Sequence, residues 1–157
     1  MSSIRQVLFI AGGVGINPLM SMLSHLAESP CRFRLQLLYS TKMPDTPGGL
    51  CDILFIDHLL DIFRGPHVEG RMRLFLTGTL AASSDWSSAR VGNRKVDAMP
   101  RRIGLPDLVD ALGSSDDKCS SVIYLCGTPS MTDECLRMLP APPLGIEPTR
   151  IFCEKWW

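Results

Sequence analysis

Apolar runs alternate with amphipathic segments along this chain, and the alternation predicts five strands and four helices. The predicted strands are residues 7–11, 33–39, 72–77, 122–126 and 150–153. The first of them is apolar at every position and ends at two glycines, which is typical of a parallel strand buried on both faces. Strands separated by helices form βαβ units. We therefore expect an α/β fold with a doubly wound, five-stranded parallel sheet in the order 3-2-1-4-5.

The predicted helices each carry an apolar face at helical spacing, and they span residues 18–27, 50–63, 106–112 and 129–139. Two of them begin with the same signal. Asn17-Pro18 and Thr128-Pro129 place a capping residue before a proline at the first helical position. Both signals follow directly after predicted strands, so these two helix N-termini are expected at the carboxyl ends of the first and fourth strands.

The segment from Gly78 to Arg102 is rich in Ser, Arg and Gly and shows no clear periodicity. A loop of this length in a single domain is either functional or mobile. Its basic cluster consists of Arg90, Arg94, Lys95, Arg101 and Arg102. We favour a long, mobile, solvated loop over residues 78–102, and contact of the cluster with a phosphate or an acidic partner remains the alternative.

Length and charge exclude several classes of protein. The chain has 157 residues, of which 45% are hydrophobic, enough for one buried core, and we expect one domain over residues 1–157. Sixteen basic residues balance sixteen acidic ones, so there is no cationic excess to bind nucleic acid or anionic membranes. Apolar stretches fall short of the roughly 20 residues of a membrane span. No targeting segment is recognisable, and we expect an intracellular protein without a membrane span.

Cysteine and histidine spacings give no sign of a metal site. The six cysteines contain no C-x-x-C pair, and the three histidines lack ligand spacing. We therefore expect no metal and no disulfide scaffold, and we interpret the cysteines as thiols in a reducing compartment. Cys126 is the exception, because it belongs to a motif described below.

The strongest chemical signal is the sequence GGVGINP at residues 12–18, directly after the first strand. Glycines allow a tight turn and close approach of backbone N–H groups to a phosphate, and the following helix N-terminus favours the same anion. Pro18 occupies the position of the third glycine in the G-x-G-x-x-G fingerprint, and the G-K-[ST] of a P-loop is missing. Taken by itself, the motif indicates a pyrophosphate site or simply a turn.

A second corner makes the interpretation more specific. The sequence CGTPSM at residues 126–131 ends the fourth strand and opens a helix. In the expected strand order, the first and fourth strands are neighbours at the topological switch point, where ligands bind at the carboxyl ends. The two corners are therefore predicted to face one nucleotide-binding cleft.

Cofactor preference is expected at the end of the second strand, where an acidic residue would bind the ribose of NAD and a basic one would suit the 2′-phosphate of NADP. Ser40, Thr41 and Lys42 stand there, and Thr77 and Thr79 end the third strand on the same side. Lys42 slightly favours NADP over NAD. The alternative, nearly as well supported, is that Lys42 is an ordinary surface lysine without a role in binding.

Three motifs in this order, GGVGINP, CGTPSM and the final FCEKWW at residues 152–157, resemble the nucleotide-binding domain of the ferredoxin–NADP reductase family. Within that family the chain is most similar to the oxidoreductase NAD-binding domain-containing proteins, a mitochondrial branch. The segments Tyr39–Lys42 and Met131–Asp133 share this resemblance, which spans residues 4–157.

The resemblance implies roles for individual residues. Cys126 would lie near the nicotinamide during hydride transfer, Glu154 would be the family's carboxylate, and Trp156 its flavin-stacking aromatic. Trp157 adds one residue, which leaves open which Trp stacks, and packing of a hydrophobic tail is the alternative. Thr128 replaces the family's usual proline. The implied cofactor-binding residues are Gly12, Gly13, Val14, Gly15, Asn17, Pro18, Ser40, Lys42, Thr77, Gly127, Thr128, Pro129 and Met131.

Family members pass a hydride from NAD(P)H to FAD held by a preceding barrel domain, whose flavin-contacting arginine–aromatic–Ser motif we do not find here. The resemblance thus implies the nucleotide-binding domain of an NAD(P)H-dependent flavoprotein oxidoreductase, incomplete for turnover by itself. Its implied partners are nicotinamide dinucleotide, a separate flavin-binding domain and an electron acceptor protein, and its implied location is the mitochondrion, otherwise the cytoplasm. The alternatives are a non-catalytic NAD(P)-binding sensor or interaction module, and an unrelated nucleotide-binding domain.

Overall fold

A parallel six-stranded sheet lies at the centre of the protein in a computed structural model that describes residues 3–155. In chain order the strands are β1 (Gln6–Gly12), β2 (Arg34–Lys42), β3 (Glu69–Thr77), β4 (Arg90–Val91), β5 (Arg94–Lys95), β6 (Ala98–Met99), β7 (Ser121–Cys126) and β8 (Ile151–Glu154). The sheet order is β6-β3-β2-β1-β7-β8, and all its pairs are parallel. Strands β4 and β5 form a separate antiparallel hairpin.

The expected fold class is confirmed, and the strand count is not. The five predicted strands correspond to β1, β2, β3, β7 and β8, and they have the predicted order. The sixth strand, β6, pairs with the outer edge of β3, where Leu74 lies opposite Ala98 and Phe75 opposite Met99. Two residues are too few to show the period of two by which a strand is recognised in a sequence.

Helices cover both faces of the sheet. They are α1 (Ile16–Leu26), α2 (Ile56–Arg64), α3 (Thr79–Ala82), α4 (Leu105–Leu112), α5 (Ser115–Cys119) and α6 (Pro129–Met138), with 3-10 turns at Gly13–Gly15, Gly49–Asp52 and Pro148–Arg150. Helices α1 and α2 pack on the face that contains Phe9 and Leu37. Helices α4 and α6 pack on the opposite face with Leu8 and Ile10. The alternation of side chains along β1 separates the two cores.

The second helix is shorter than the sequence predicts. The sequence predicts a helix from residue 50, but only a 3-10 turn forms at Gly49–Asp52, and α2 begins at Ile56. Phe55, directly before it, has a left-handed backbone with φ of 62°. A left-handed residue cannot continue the helix, so the apolar pattern of residues 50–63 is divided between two elements.

The segment of residues 78–102 contains regular structure: α3, the β4–β5 hairpin and β6. Val91 and Val96 are buried in the core on the α1 face. Two of its cations pair with acidic residues of this chain, since Arg94 binds Asp57 and Asp61, and Arg101 binds Asp107. The mobility of the segment stays a prediction.

Candidate functional site

The two glycine corners meet at the carboxyl ends of adjacent strands. Ala11 of β1 lies opposite Cys126 of β7, and the corners follow directly. A Cβ atom built on Gly12 would lie 3.2 Å from the Cα atom of Gly127. One built on Gly127 would lie 3.3 Å from the backbone of Gly12. Residues 12–15 and 126–129 are therefore neighbours, as the strand order predicts.

Two glycines of the first corner are required for different reasons. Gly13 has φ of +55°, a left-handed conformation that favours glycine, and a Cβ atom added there would meet nothing within 4 Å. Gly15 is buried, and a Cβ atom added there would lie 2.2 Å from the carbonyl oxygen of Cys126. Gly13 is thus open toward solvent, whereas Gly15 allows the two corners to touch.

The first helix begins earlier than the sequence predicts. A 3-10 turn at Gly13–Gly15 runs directly into α1 at Ile16, so Asn17 lies inside the helix and is not its N-cap. The Nδ2 atom of Asn17 instead donates a hydrogen bond of 2.8 Å to the carbonyl oxygen of Val14. The N–H groups of Gly13 and Val14, the first two residues of the turn, therefore have no carbonyl acceptor within the turn or the helix.

The second corner begins as predicted. Thr128 has an extended backbone before α6, and Pro129 is the first helical residue. The N–H groups of Ser130 and Met131 then lie in the first helical turn, where no carbonyl of the helix can accept them. Together with the positive end of the helix dipole, they make this corner attractive to an anion.

A cleft of about 440 Å³ opens between these corners and the ends of β2 and β3. Seven predicted cofactor-binding residues line it: Gly12, Gly13, Ser40, Lys42, Thr77, Thr128 and Met131. A depression of about 590 Å³ elsewhere is lined by residues such as Arg64, Trp86 and Lys95, and includes no glycine-corner residue. The chemistry of its lining, and not its size, makes the first cleft the candidate site.

The cleft also contains Thr41, which the sequence places between Ser40 and Lys42, and four residues that were not predicted for the site: Arg102, Ile103, Ser130 and Glu134. Ser130 could have been assigned from the sequence, because it is the second residue of a helix whose start was recognised. Arg102 belongs to the basic cluster of the sequence, but only the path of the chain after β6 brings it to the cleft. The lining therefore includes two cations, Lys42 and Arg102, and the carboxylate of Glu134.

Other predicted residues do not line the cleft. The backbone of the two corners is formed instead by six of them: Val14, Gly15, Asn17, Pro18, Gly127 and Pro129. Cys126 and Glu154 are opposite one another at the ends of β7 and β8, on the side of the sheet that faces α1. Trp156 and Trp157 lie outside the described residues.

Cys126 is buried, with only 3% of its surface exposed. Burial raises its pKa, and the negative charge of Glu154 and the neighbouring Cys153 raise the pKa further. The thiol is therefore neutral at pH 7. It can pack against a ring, but it is not prepared for nucleophilic attack.

A buried ion network holds the chain beside Arg102. Asp107 is 2% exposed and accepts hydrogen bonds from Arg73 (3.2 Å) and Arg101 (2.8 Å). The N–H group of Gly104 donates to the same carboxylate at 2.8 Å. Burial opposes ionisation of Asp107, but these hydrogen bonds and the charges of both arginines outweigh it, so the pKa of Asp107 lies below its usual range.

No described helix is long and apolar enough to cross a membrane. Among residues 3–155 there is also no group of three or more His, Cys, Asp or Glu side chains placed to hold a metal ion.

Sequence comparison finds related proteins along nearly the whole chain. The reductase component of a propane 2-monooxygenase from Rhodococcus jostii is 26% identical over 154 residues, which cover 96% of this chain and 35% of that protein. Oxidoreductase NAD-binding domain-containing protein 1 from Bos taurus is 29% identical over 98% of this chain and 46% of its own length. The Danio rerio protein of the same name is 29% identical, with coverages of 96% and 52%. No protein-family model matches the sequence.

Solved structures share the fold. A flavohemoglobin from Malassezia yamatoensis with bound FAD and heme matches 98% of this chain and 32% of its own, with a TM-score of 0.64 and 16% identity. A flavohem-like FAD/NAD-binding domain of a nitric oxide dioxygenase from Vibrio cholerae matches 98% of this chain and 52% of its own, with a TM-score of 0.66 and 19% identity. The chain thus spans about a third to a half of these relatives. The names and the fold together confirm the resemblance to the ferredoxin–NADP reductase family.

Proposed function

We propose that this relative of the ferredoxin–NADP reductases is the nicotinamide-nucleotide-binding domain of a flavin-dependent oxidoreductase, and that it presents NAD(P)H to an FAD held by another domain. The observation that carries the proposal is the contact between the glycine corners at residues 12–15 and 126–129. Two corners with unpaired N–H groups at adjacent parallel strands form a site for a pyrophosphate.

The pyrophosphate would lie between the corners. The N–H groups of Gly13 and Val14 would donate from one side, and those of Ser130 and Met131 from the other. Gly12 lines the cleft without a side chain, and a Cβ atom there would lie 2.7 Å from the Sδ atom of Met131. Glycine at this position therefore keeps the cradle open for the ligand.

The adenosine half would extend toward the ends of β2 and β3. Ser40, Lys42 and Thr77 line that part of the cleft, and Arg102 joins them. A 2′-phosphate would interact favourably with the two cations, so we propose a preference for NADP over NAD.

The nicotinamide half would extend toward Cys126 and Glu154. When bound, the nucleotide supplies a hydride, which is two electrons and one proton, to the flavin ring. The neutral, buried thiol of Cys126 would give the ring an apolar contact. Glu154, at the exposed end of β8, would provide a carboxylate beside it. The chain thus orients the donor and lets the cofactors carry the chemistry.

Calorimetric titration with NADPH and NADH tests the proposal directly. The informative variant is Gly13→Asp, because Gly13 is open to the cleft, with Gly13→Asn as its matched control. Asn and Asp tolerate the left-handed backbone about equally and differ in charge. We expect Gly13→Asp to weaken binding at least about tenfold relative to Gly13→Asn, since a carboxylate would repel the pyrophosphate.

Absence of binding of either nucleotide to the unaltered chain would contradict the proposal, as would equal affinities of the two Gly13 variants. Binding of a nucleotide, with no reduction of a flavin when flavin-binding domains are supplied, would favour the non-catalytic sensor or interaction module instead. The mitochondrial location remains a prediction, and imaging of a tagged full-length protein in cells would test it.

A further inference from the structure

The side chain of Met131 lies across the seam between the two glycine corners. A Cβ atom built on Gly12 would lie 2.7 Å from the Sδ atom of Met131 and 2.9 Å from its Cε atom. A Cβ atom built on Gly127 would lie 2.5 Å from the same Cε atom. The thioether therefore packs directly against the backbone of both corners, in space that any residue larger than glycine would fill.

The position of this side chain follows from the helix start and the two glycines together. Pro129 begins α6 and Met131 is the third residue of the helix, so its side chain leans back toward the helix N-terminus. Part of the side chain packs against the apolar core beneath α6. Its end reaches the seam because neither Gly12 nor Gly127 carries a Cβ atom.

The sulfur of Met131 can be reached from solvent through the cleft. Met131 lines the cleft of about 440 Å³ and is only partly buried. Met20 and Met72, by contrast, are buried in the core. The sulfur of Met99 accepts hydrogen bonds of 3.2 and 3.3 Å from two arginine side chains, which engage its lone pairs. Met131 thus combines an accessible sulfur with a place in the candidate site, which none of these three does.

We propose that Met131 is a redox modification site: a hydroperoxide converts its thioether to the sulfoxide, and the sulfoxide weakens nucleotide binding. The inference rests on the proposed function, because it concerns the same cleft. In the reaction, a sulfur lone pair attacks one oxygen of hydrogen peroxide, and the O–O bond breaks. That oxygen stays on the sulfur, which is oxidised by two electrons, and the other oxygen leaves as water with both protons.

The seam has no room for the added oxygen. The Sδ and Cε atoms of Met131 already contact the backbone of Gly12 and Gly127, so an oxygen that pointed into the seam would overlap backbone atoms, which cannot rotate away. The oxygen must therefore point into the cleft, or the whole end of the side chain must leave the seam for the cleft. Either outcome changes the lining where the pyrophosphate would lie.

The changed lining opposes the binding of an anion. A thioether is only a weak hydrogen-bond acceptor, whereas the S–O dipole of a sulfoxide has its negative end on oxygen. This oxygen would either face the phosphate oxygens and repel them, or accept a hydrogen bond from the N–H group of Gly13 or Ser130 that the pyrophosphate would then lose. Both effects lower the affinity for the nucleotide. Because methionine sulfoxide reductases restore the thioether, the change is reversible.

Calorimetric titration with NADPH before and after treatment with hydrogen peroxide tests the proposal. Peptide mass spectrometry measures the conversion of each methionine, and affinities are compared at nearly full conversion of Met131. The informative variant is Met131→Leu, which keeps an apolar side chain of similar volume without sulfur. The matched control is Met138→Leu, because Met138 lies on the same helix, is also partly buried and does not line the cleft.

We expect peroxide to weaken NADPH binding at least about tenfold in the unaltered chain and in Met138→Leu. In Met131→Leu, whatever its own affinity, we expect the same treatment to change the affinity less than about twofold. We also expect the sulfoxide to form at least about tenfold faster at Met131 than at the buried Met20.

Reduction of the treated chain separates oxidation of Met131 from oxidation of cysteines. Dithiothreitol alone reverses disulfides and sulfenic acids, whereas dithiothreitol with methionine sulfoxide reductases for both epimers also reverses the sulfoxide. We expect only the second treatment to restore NADPH binding. This measurement uses the unaltered chain and does not depend on the folding of a variant.

Unchanged affinity after full conversion of Met131 would overturn the proposal, as would a loss that persists in Met131→Leu or that dithiothreitol alone reverses. Conversion of Met131 as slow as that of Met20 would also overturn it, because the sulfur would then not be reachable from the cleft. All these outcomes leave the proposed function intact, whereas absence of nucleotide binding by the untreated chain would refute that function.

Discussion

Gly15 and the carbonyl oxygen of Cys126 are so close that a Cβ atom on residue 15 would lie 2.2 Å from that oxygen. The two corners of the candidate site are therefore in direct backbone contact, without intervening side chains. This contact connects the start of the chain's first helix with the end of β7, more than 100 residues later. It also decides which glycine substitution can test ligand binding and which one tests the fold.

Replacing Gly15 with alanine should destabilise the protein. The added methyl group meets the backbone of Cys126, which cannot move away as a flexible side chain can. We expect the free energy of unfolding to fall by about 3 kcal/mol, measured by urea denaturation. The control is Gly104→Ala, where φ is −123° and the nearest atom would be 3.6 Å from the new Cβ atom. A change within about 1 kcal/mol is expected there, and an equal effect of both variants would contradict the packing role of Gly15.

Removing the cations of the cleft should affect NADPH and NADH differently. We expect Lys42→Ala and Arg102→Ala each to weaken NADPH binding by about tenfold and to leave NADH binding nearly unchanged, because only NADPH carries the 2′-phosphate. Calorimetry measures both affinities. Lys95→Ala is the control, since Lys95 is exposed and does not line this cleft. Equal losses for the two nucleotides would show that the cations act on the pyrophosphate.

Neutralising Asp107 should lower the free energy of unfolding, and the loss should be largest near neutral pH. Asp107→Asn leaves Arg73 and Arg101 without their buried carboxylate, and we expect a loss of about 3 kcal/mol in unfolding free energy. Asp110→Asn is the control: its carboxylate also binds Arg71 and Arg73 but is well exposed, and a loss below about 1 kcal/mol is expected.

The pH dependence of stability gives Asp107 a second signature. Because its pKa is lowered in the folded state, the unfolded chain binds the proton more readily. The stabilisation is then complete above the ordinary aspartate pKa of about 3.9 and is lost as the pH falls through the lower, folded-state value. Urea denaturation between pH 2 and 7 should show this acid loss in the unaltered protein, and Asp107→Asn should reduce it. An unchanged acid slope in Asp107→Asn would contradict the lowered pKa.

Cys126 should react slowly with thiol reagents. Its burial and its raised pKa both disfavour the thiolate. Alkylation by iodoacetamide at pH 8, followed by mass spectrometry, should be at least about tenfold slower at Cys126 than at the exposed Cys51. Glu154→Gln removes a negative charge that raises this pKa, so the alkylation profile of Cys126 should move to lower pH. If the pH dependence of alkylation is unchanged in Glu154→Gln, the charge of Glu154 does not raise the pKa of the Cys126 thiol.

Much of this architecture could be predicted from sequence because its signals are local. The apolar run of β1 and the cap-and-proline start of α6 each lie within a few residues. The resulting strand order then requires the corners at Gly12 and Cys126 to be neighbours. The start of α1 was misplaced because a 3-10 turn at Gly13–Gly15 extends it, and glycines give no helical signal.

The sequence by itself thus determined the βαβ alternation, the two corners and the seven predicted residues that line the cleft. Only the tertiary structure decided that Arg102 joins them, that β6 extends the sheet, that Gly15 serves packing, and that three aromatic rings form a row across β1, β7 and β8. The physical reason is distance along the chain. A strand or a helix start is encoded by neighbouring residues, whereas a contact between remote segments depends on the path that the whole chain takes.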